Sequence, residues 1–450
     1  MASKRDLAEA QTYSRRRLLT AFTSGAPGGR ELEPTKPLRG VVAGVSLSVL
    51  LVLGSLGFGM LNSGLPDGWD DQSLVVVNGD GSRYVALQGT LYPVLNVTSA
   101  RLALDSSSYH VVTVDEGDIA ETPRGATIGI PGAPDELPPS DRLVDTGWTA
   151  CVAGDGGTAL TIDPAGDPEP ATTRATALVR NGDQSYLVNA GTRYRIEPGQ
   201  EAAVLRALSM DTATPVEVTA DWLNLIPMGT DLGPLSIEAS GEPALPTEGL
   251  PADTRVGALV EVSGTGGGLR RYVVDRAGEL APLSDFAYPL YVLGAGDLAA
   301  DPIRVSTADI AEVTTSTIAV DPTDWPEEAP ELTEGSTPCV VLDTRDGGRV
   351  DLAFADPEAV PGTGVHVAPG SGALLDARST AGAQGMVSLV DGTGRAHPMP
   401  EADEELLARL GYRMDDVATV PPAWAALLPT GPTLTISRAS TEVTGSTEDA

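Results

Sequence analysis

Leu74-Val-Val-Val-Asn-Gly-Asp-Gly-Ser-Arg-Tyr-Val-Ala-Leu87 reads as an apolar strand, a turn and a second strand. Its Asn and Gly residues stand where a hairpin needs positive φ. Gly89-Thr-Leu-Tyr-Pro-Val follows. The same shape returns in Ala177-Leu-Val-Arg-Asn-Gly-Asp-Gln-Ser-Tyr-Leu-Val188, followed by Gly191, and in Ala258–Val274. A fourth copy, Met386-Val-Ser-Leu-Val-Asp-Gly-Thr-Gly-Arg-Ala-His397, lacks the Tyr that opens the return strand as Tyr84, Tyr186 and Tyr272. Helical patterns follow two of the hairpins, at Gln200–Leu208 and Glu401–Leu410. Trp222-Leu-Asn-Leu-Ile-Pro-Met-Gly and Trp424-Ala-Ala-Leu-Leu-Pro-Thr-Gly close the second and fourth copies. Tryptophans at matching places anchor a core more often than they bind a ligand.

The copies begin 103, 81 and 128 residues apart, too irregular for a propeller or solenoid. They read instead as small modules on a central unit, supplied by residues 105–172 and 298–382. Each of these ranges holds one cysteine followed by a hairpin pattern, at Cys151-Val-Ala-Gly-Asp-Gly-Gly and Cys339-Val-Val-Leu-Asp-Thr-Arg-Asp-Gly-Gly. The chain has no other cysteine. In an oxidising compartment the pair reads as a disulfide, the alternative being two buried free thiols.

Outward from the hairpins, charge and hydropathy divide the chain. The formal net charge is −33. Residues 1–40 carry eight cationic residues against four acids, which leaves 21 against 58, a net −37, for the remainder. Both lysines, Lys4 and Lys36, lie in this N-terminal stretch. So acidic a body repels nucleic acid. Between the two regions, Val41–Leu61 is uncharged and apolar. As a helix it spans roughly 31 Å, the hydrocarbon thickness of a bilayer. A cleavable signal peptide has a shorter basic flank, a shorter apolar run and an Ala-x-Ala site. The expectation is an uncleaved single-pass anchor in the cytoplasmic membrane, with the basic N-terminus cytosolic and the acidic region extracytoplasmic.

The fold class expected is α+β, a single transmembrane helix followed by a β-rich disulfide-linked core carrying four small β-hairpin/helix repeat domains. The divisions are a cytosolic basic N-terminus (1–39), the transmembrane helix (40–65), repeat 1 (66–104), a first core segment (105–172), repeat 2 (173–240), repeat 3 (251–297), a second core segment (298–382), repeat 4 (383–438) and a disordered tail (439–450).

Signatures of chemistry are sparse. A Walker A motif needs a lysine, and none lies beyond Lys36. Gly294-Ala-Gly-Asp-Leu-Ala299 resembles a dinucleotide loop, but Asp301-Pro302 ends any helix that could face a pyrophosphate. No Gly-x-Ser-x-Gly or His-Glu-x-x-His occurs. Asp343-Thr-Arg-Asp-Gly lacks the ligand spacing of a calcium loop, and His110, His366 and His397 are scattered. No catalytic, cofactor-binding or metal residue is assigned, and no cofactor is expected.

The order of features resembles the EccB family, core membrane subunits of type VII (ESX) secretion systems. The likeness rests on Met1-Ala-Ser-Lys-Arg-Asp, Tyr13-Ser-Arg-Arg-Arg-Leu-Leu-Thr-Ala21, the position of the anchor, Arg83–Ala103, Trp148-Thr-Ala-Cys151, Pro338-Cys339 and Leu427-Leu-Pro-Thr-Gly-Pro432. It implies four repeat domains around a disulfide-linked core formed by Cys151 and Cys339. It also implies an oligomeric assembly with an EccC-like ATPase, EccD-like and EccE-like membrane subunits and a mycosin-type protease. Proteins of this family are sometimes labelled ATPases, a label the lysine-free outer region does not support. The expected function is a structural secretion subunit. The competing readings are a cell-envelope (peptidoglycan) binding protein and a nucleotide hydrolase.

Overall fold

The computed structural model describes residues 3–24, 37–61, 65–164, 168–264, 268–345, 348–378 and 385–443. They form two units, divided after Pro66.

The first unit holds two helices, Lys4–Ser24 and Pro37–Leu61. The backbone of the second helix covers the whole apolar run, whereas its described side chains are those of residues 40–53. Val41, Leu47, Leu50, Leu51 and Leu53 are each about 60% exposed or more. Among the described residues, no helix is long and apolar enough to cross a membrane.

The second unit is mixed α+β and contains five sheets. Four share one topology. Three antiparallel strands form a meander, and a fourth strand lies parallel to the first on its free side. In module 1 the strands are Ser73–Val77, Arg83–Leu87, Thr90–Pro93 and His110–Val114, with helix Val97–Ala103 carrying the chain from third to fourth. Module 2 repeats the plan with Ala175–Asn181, Gln184–Asn189, Thr192–Arg195, helix Glu201–Ala207 and Val216–Glu217. Module 3 uses Leu259–Ser263, Leu269–Val274, Leu280–Leu283, helix Ala287–Ala295 and Ile303–Ser306. Module 4 uses Ala373–Ala377, Met386–Val390, Ala396–Pro398, helix Glu404–Leu410 and Ala418–Val420.

These strands cross the divisions drawn from sequence. His110–Val114 and Ile303–Ser306 fall in ranges assigned to the core, because a parallel strand must follow a crossover and carries no turn signal of its own. Met386–Val390 is the second strand of its module. The first, Ala373–Ala377, precedes it, and the sequence between them, Arg378-Ser-Thr-Ala-Gly-Ala-Gln-Gly385, holds no Asn-Gly or Asp-Gly pair. The chain beyond Ala439 also remains paired up to Val443, whose N–H donates to Thr127 O (2.8 Å), beside a Glu442–Ile128 bridge. Residues 444–450 of the expected tail lie outside those described.

After the fourth strand the chain returns beside the third in every module, bridging at Leu91–Arg124, Arg193–Met228, Leu280–Thr315 and Ala396–Thr430. In modules 1, 2 and 4 this return is Pro-x-Gly (123–125, 227–229, 429–431). The proline carbonyl accepts from the third strand, and the glycine N–H donates back to it. The third-strand ring beside it, Tyr92, Tyr194 or His397, occupies the space of the missing Cβ, which would stand 2.3, 2.6 and 2.5 Å from those rings. Only glycine fits there.

The fifth sheet is central. Its order is Arg349–Ala355, Thr337–Asp343, Trp148–Val152, Thr158–Ile162 and Gly364–Val367. Side chains alternate between its faces. Trp148, Ala150, Leu160, Val340 and Leu352 enter one core with Trp222 of module 2 and Trp424 of module 4. Modules 2 and 3 share a second core through Leu178, Leu187, Leu259 and Leu290. Modules 1 and 4 share a third through Leu102, Leu374 and Leu407. The packing order is therefore 3-2-sheet-4-1.

Trp222 Nε1 donates to Ala150 O (3.0 Å), whereas the buried Trp424 Nε1 has no partner among the described residues. Both Trp→Phe changes lose ring volume, but only Trp222→Phe also loses a hydrogen bond. Trp222→Phe should destabilise the protein more than Trp424→Phe by about 1 kcal/mol, read from urea unfolding midpoints.

Candidate functional site: the stapled sheet and its flanking contacts

Cys151 and Cys339 face each other directly across adjacent antiparallel strands, Trp148–Val152 and Thr337–Asp343. Their Cα atoms are 4.0 Å apart and their sulfurs are bonded. No free cysteine exists. The disulfide lies on the face opposite the three tryptophans, where the neighbours are small: Val341, Ala353, Ala355 and Val360. Thus each strand gives its bulky residues to one face and its cysteine to the thin one. The bond closes a loop of 188 residues that contains all of modules 2 and 3.

Two arginines hold modules 1 and 4 together. Arg101 Nη1, on the module 1 helix, donates to Leu410 O (2.9 Å) at the end of the module 4 helix. Arg409 Nη1, on that second helix, donates to Leu102 O and Leu104 O (2.9 and 2.8 Å) at the end of the first. Each helix thus sends a cation to the other's unsatisfied C-terminal carbonyls, where the helix dipole favours positive charge. The helices of modules 2 and 3 meet differently, through Val204, Leu205, Ala287 and Leu290, beside a surface groove whose lining includes Ala203, Arg206, Tyr288 and Val292.

Module 4 contains a buried hydrogen-bonded pair of titratable side chains. His397, fully buried, donates from Nε2 to Asp391 Oδ2 (2.9 Å). Asp391 Oδ1 accepts from Thr393 N, Thr393 Oγ1 and Arg395 N, which closes the Asp391-Gly-Thr-Gly turn. Burial opposes the Asp391 charge, but the His397 and Thr393 donors outweigh it and hold the carboxyl at about 2.

Of the other residues singled out in sequence, none meets another in a site. Gly294 lies in the last turn of helix Ala287–Ala295, where a Cβ would stand 2.2 Å from Leu235 O, and Asp297–Ala300 is a single short turn. The Asp343 carboxylate is occupied by Thr146 Oγ1 and Arg345. The His110 ring faces Ser108 O and Gly68 O, and His366 faces Gly362 O. Among the described residues, no three His, Cys, Asp or Glu side chains are grouped to hold a metal ion. Sequence reading missed Arg101, Arg409 and the Asp391–His397 pair. The recurring Pro-x-Gly was the available signal for the third-strand pocket that His397 fills.

The family model for "Type VII secretion system ESX-1, transport TM domain B" matches residues 1–446. The chain belongs to this EccB family. Two relatives from Mycobacterium tuberculosis are "ESX-2 secretion system ATPase EccB2", 30% identical over 293 residues (60% of this chain, 55% of the relative), and "ESX-1 secretion system ATPase EccB1", 29% identical over 251 residues (52% and 50%). The matched stretches thus span about half the length of these EccB relatives. A chain of an intact ESX-5 inner membrane complex shares the fold, with a TM-score of 0.68 at 22% identity, over 100% of this chain and 97% of that one. So does EccB3 in a dimer from the ESX-3 core complex, with a TM-score of 0.65 at 24% identity, over 82% and 99%.

Cys151→Ser should destabilise the second unit. Chain-entropy arguments for a loop of this length give on the order of 5 kcal/mol, and thermal unfolding with and without reductant measures it. Mass spectrometry should find both native thiols oxidised. Asp391→Asn should flatten the acid limb of the stability curve. The depressed carboxyl adds stability that is complete above its ordinary value of 3.8 and is lost as pH falls toward about 2. That contribution is about 2 kcal/mol, read from urea midpoints across this range.

Proposed function

We propose that this chain is a membrane-anchored structural subunit of a type VII secretion complex. Helix Pro37–Leu61 is the single transmembrane span, the cationic helix before it is cytosolic, and the acidic unit from Asp67 lies outside the cytoplasmic membrane. The carrying observation is that the family match begins at residue 1 and runs to residue 446. The cationic helix, the apolar helix and the stapled sheet therefore belong to one family architecture. The exposed apolar side chains of Val41–Leu53 support the span, since such a helix finds its partner in lipid.

The outer unit is read as four modules on a stapled core, each module running from its first strand to its Pro-x-Gly or equivalent return. The shared strand order supports this division. An assembly of this kind joins an EccC-like ATPase, EccD-like and EccE-like subunits and a mycosin-type protease, while the chain itself performs no turnover. The names of the Mycobacterium tuberculosis relatives include "ATPase", and the structural reading assigns no such step to this chain.

Extraction from native membranes in mild detergent should give this chain in a high-mass species with at least one other transmembrane protein. Recovery as a monomer alone, with the disulfide intact, would overturn the reading.

A further inference from the structure

Helix Lys4–Ser24 has an arrangement that the anchoring reading does not use. At about 100° per residue, Leu7, Ala10, Leu18, Ala21 and Phe22 fall on one stripe. Leu7 and Leu18 are more than 60% exposed, and Phe22 is 89% exposed. Arg15 borders the stripe on the Phe22 side and Arg17 on the Ala10 side. Glu9 and Arg16 lie opposite. Gln11 and Ser14 interrupt the stripe and Lys4 closes it at the N-terminal end. Tyr13 and Leu19 sit just outboard of the two flanking arginines. Here both margins are guanidinium groups on long apolar stems, the pattern that lets a helix sink its stripe to the acyl boundary while its cations remain at headgroup level.

A five-residue stripe with two polar interruptions binds a surface weakly in isolation. Position compensates. Only residues 25–36 separate this helix from helix Pro37–Leu61, so an anchored chain holds it within reach of the bilayer at high effective concentration. The charge also chooses the lipid. Within Lys4–Ser24 five cations face two acids, and anionic headgroups attract such segments on the cytosolic side.

We propose that helix Lys4–Ser24 lies flat on the cytosolic leaflet, with Leu7, Leu18 and Phe22 at the acyl boundary and Arg15 and Arg17 on the phosphates of anionic phospholipid. The inference rests on the anchor reading above, and its test separates the two. The full-length chain, with its disulfide formed, carries one engineered thiol, at Ala21→Cys on the stripe or Glu9→Cys opposite it. That thiol bears an environment-sensitive dye. The protein is reconstituted into vesicles of phosphatidylcholine alone or mixed with phosphatidylglycerol, and flotation after alkaline wash reads the anchor.

The expected result is that both proteins float. The dye at position 21 is quenched by lipid-borne spin label in the phosphatidylglycerol vesicles, and the dye at position 9 stays open to aqueous iodide. Added Arg15→Gln and Arg17→Gln changes, or high salt, remove the quenching at position 21. If the proteins float but both positions are equally open to iodide, the surface helix is overturned and the anchor stands. Equal quenching in phosphatidylcholine alone overturns the anionic-lipid assignment. Protection of position 21 only when other membrane proteins are added overturns the proposal in favour of protein docking. Protein that fails to float overturns the anchor and, with it, this proposal.

Discussion

Two hairpins nearly two hundred residues apart become one sheet because Trp148–Val152 and Thr337–Asp343 pair as antiparallel neighbours, with Cys151 opposite Cys339. That pairing sets the rest of the outer unit. One face of the joined sheet presents Trp148, Leu160, Val340 and Leu352, a surface large enough to receive Trp222 from one module and Trp424 from another. The other face is thin, and the disulfide occupies it. Long-range strand pairing is entropically costly to form, and a covalent link across the same two strands removes much of that cost from the unfolded chain. Apolar packing on one face and a covalent bond on the other thus hold the same pair of strands.

The modules are one device used four times and attached in two ways. In each, a meander needs a parallel strand at its open edge and a return segment beside its third strand. The Pro-x-Gly return performs two tasks, pairing its backbone and leaving space for a ring. Module 3 lacks both the Pro-x-Gly and the ring, having Ala281 where the others have Tyr92, Tyr194 and His397. Modules 2 and 4 pack on the sheet by tryptophan. Modules 1 and 3 pack on those modules rather than on the sheet, one through exchanged arginines and the other through apolar side chains.

What was legible in the sequence had local causes. Asn78-Gly79, Asn181-Gly182 and their neighbours marked hairpins because positive φ restricts the residue type. The isolated pair Cys151 and Cys339 pointed to a bond because the chain offers no other thiol. The parallel fourth strands were missed, since what fixes His110–Val114 or Ile303–Ser306 is a partner strand made some forty residues earlier. Ala373–Ala377 was read as core because its connection to Met386 lacks the compact turn signature. Arg101 and Arg409 were unreadable for the same reason, as each acts on carbonyls about three hundred residues away. The paired chain from Thr441 to Val443 looked disordered by composition and is held by Thr127 and Ile128 instead.

The packing order 3-2-sheet-4-1 has a consequence for synthesis. Module 1 emerges from a ribosome before the other modules, yet its partners, the helix around Leu407 and the bridged segment up to Val443, are made some three hundred residues later. Until then the carbonyls at the end of its helix and its Leu102 have no cover. Modules 2 and 3 are complete before the second cysteine hairpin appears, so they can wait as a finished pair. The chain therefore has a long interval in which its earliest module is its least protected, and one closing event, arrival of the C-terminal segment, covers it.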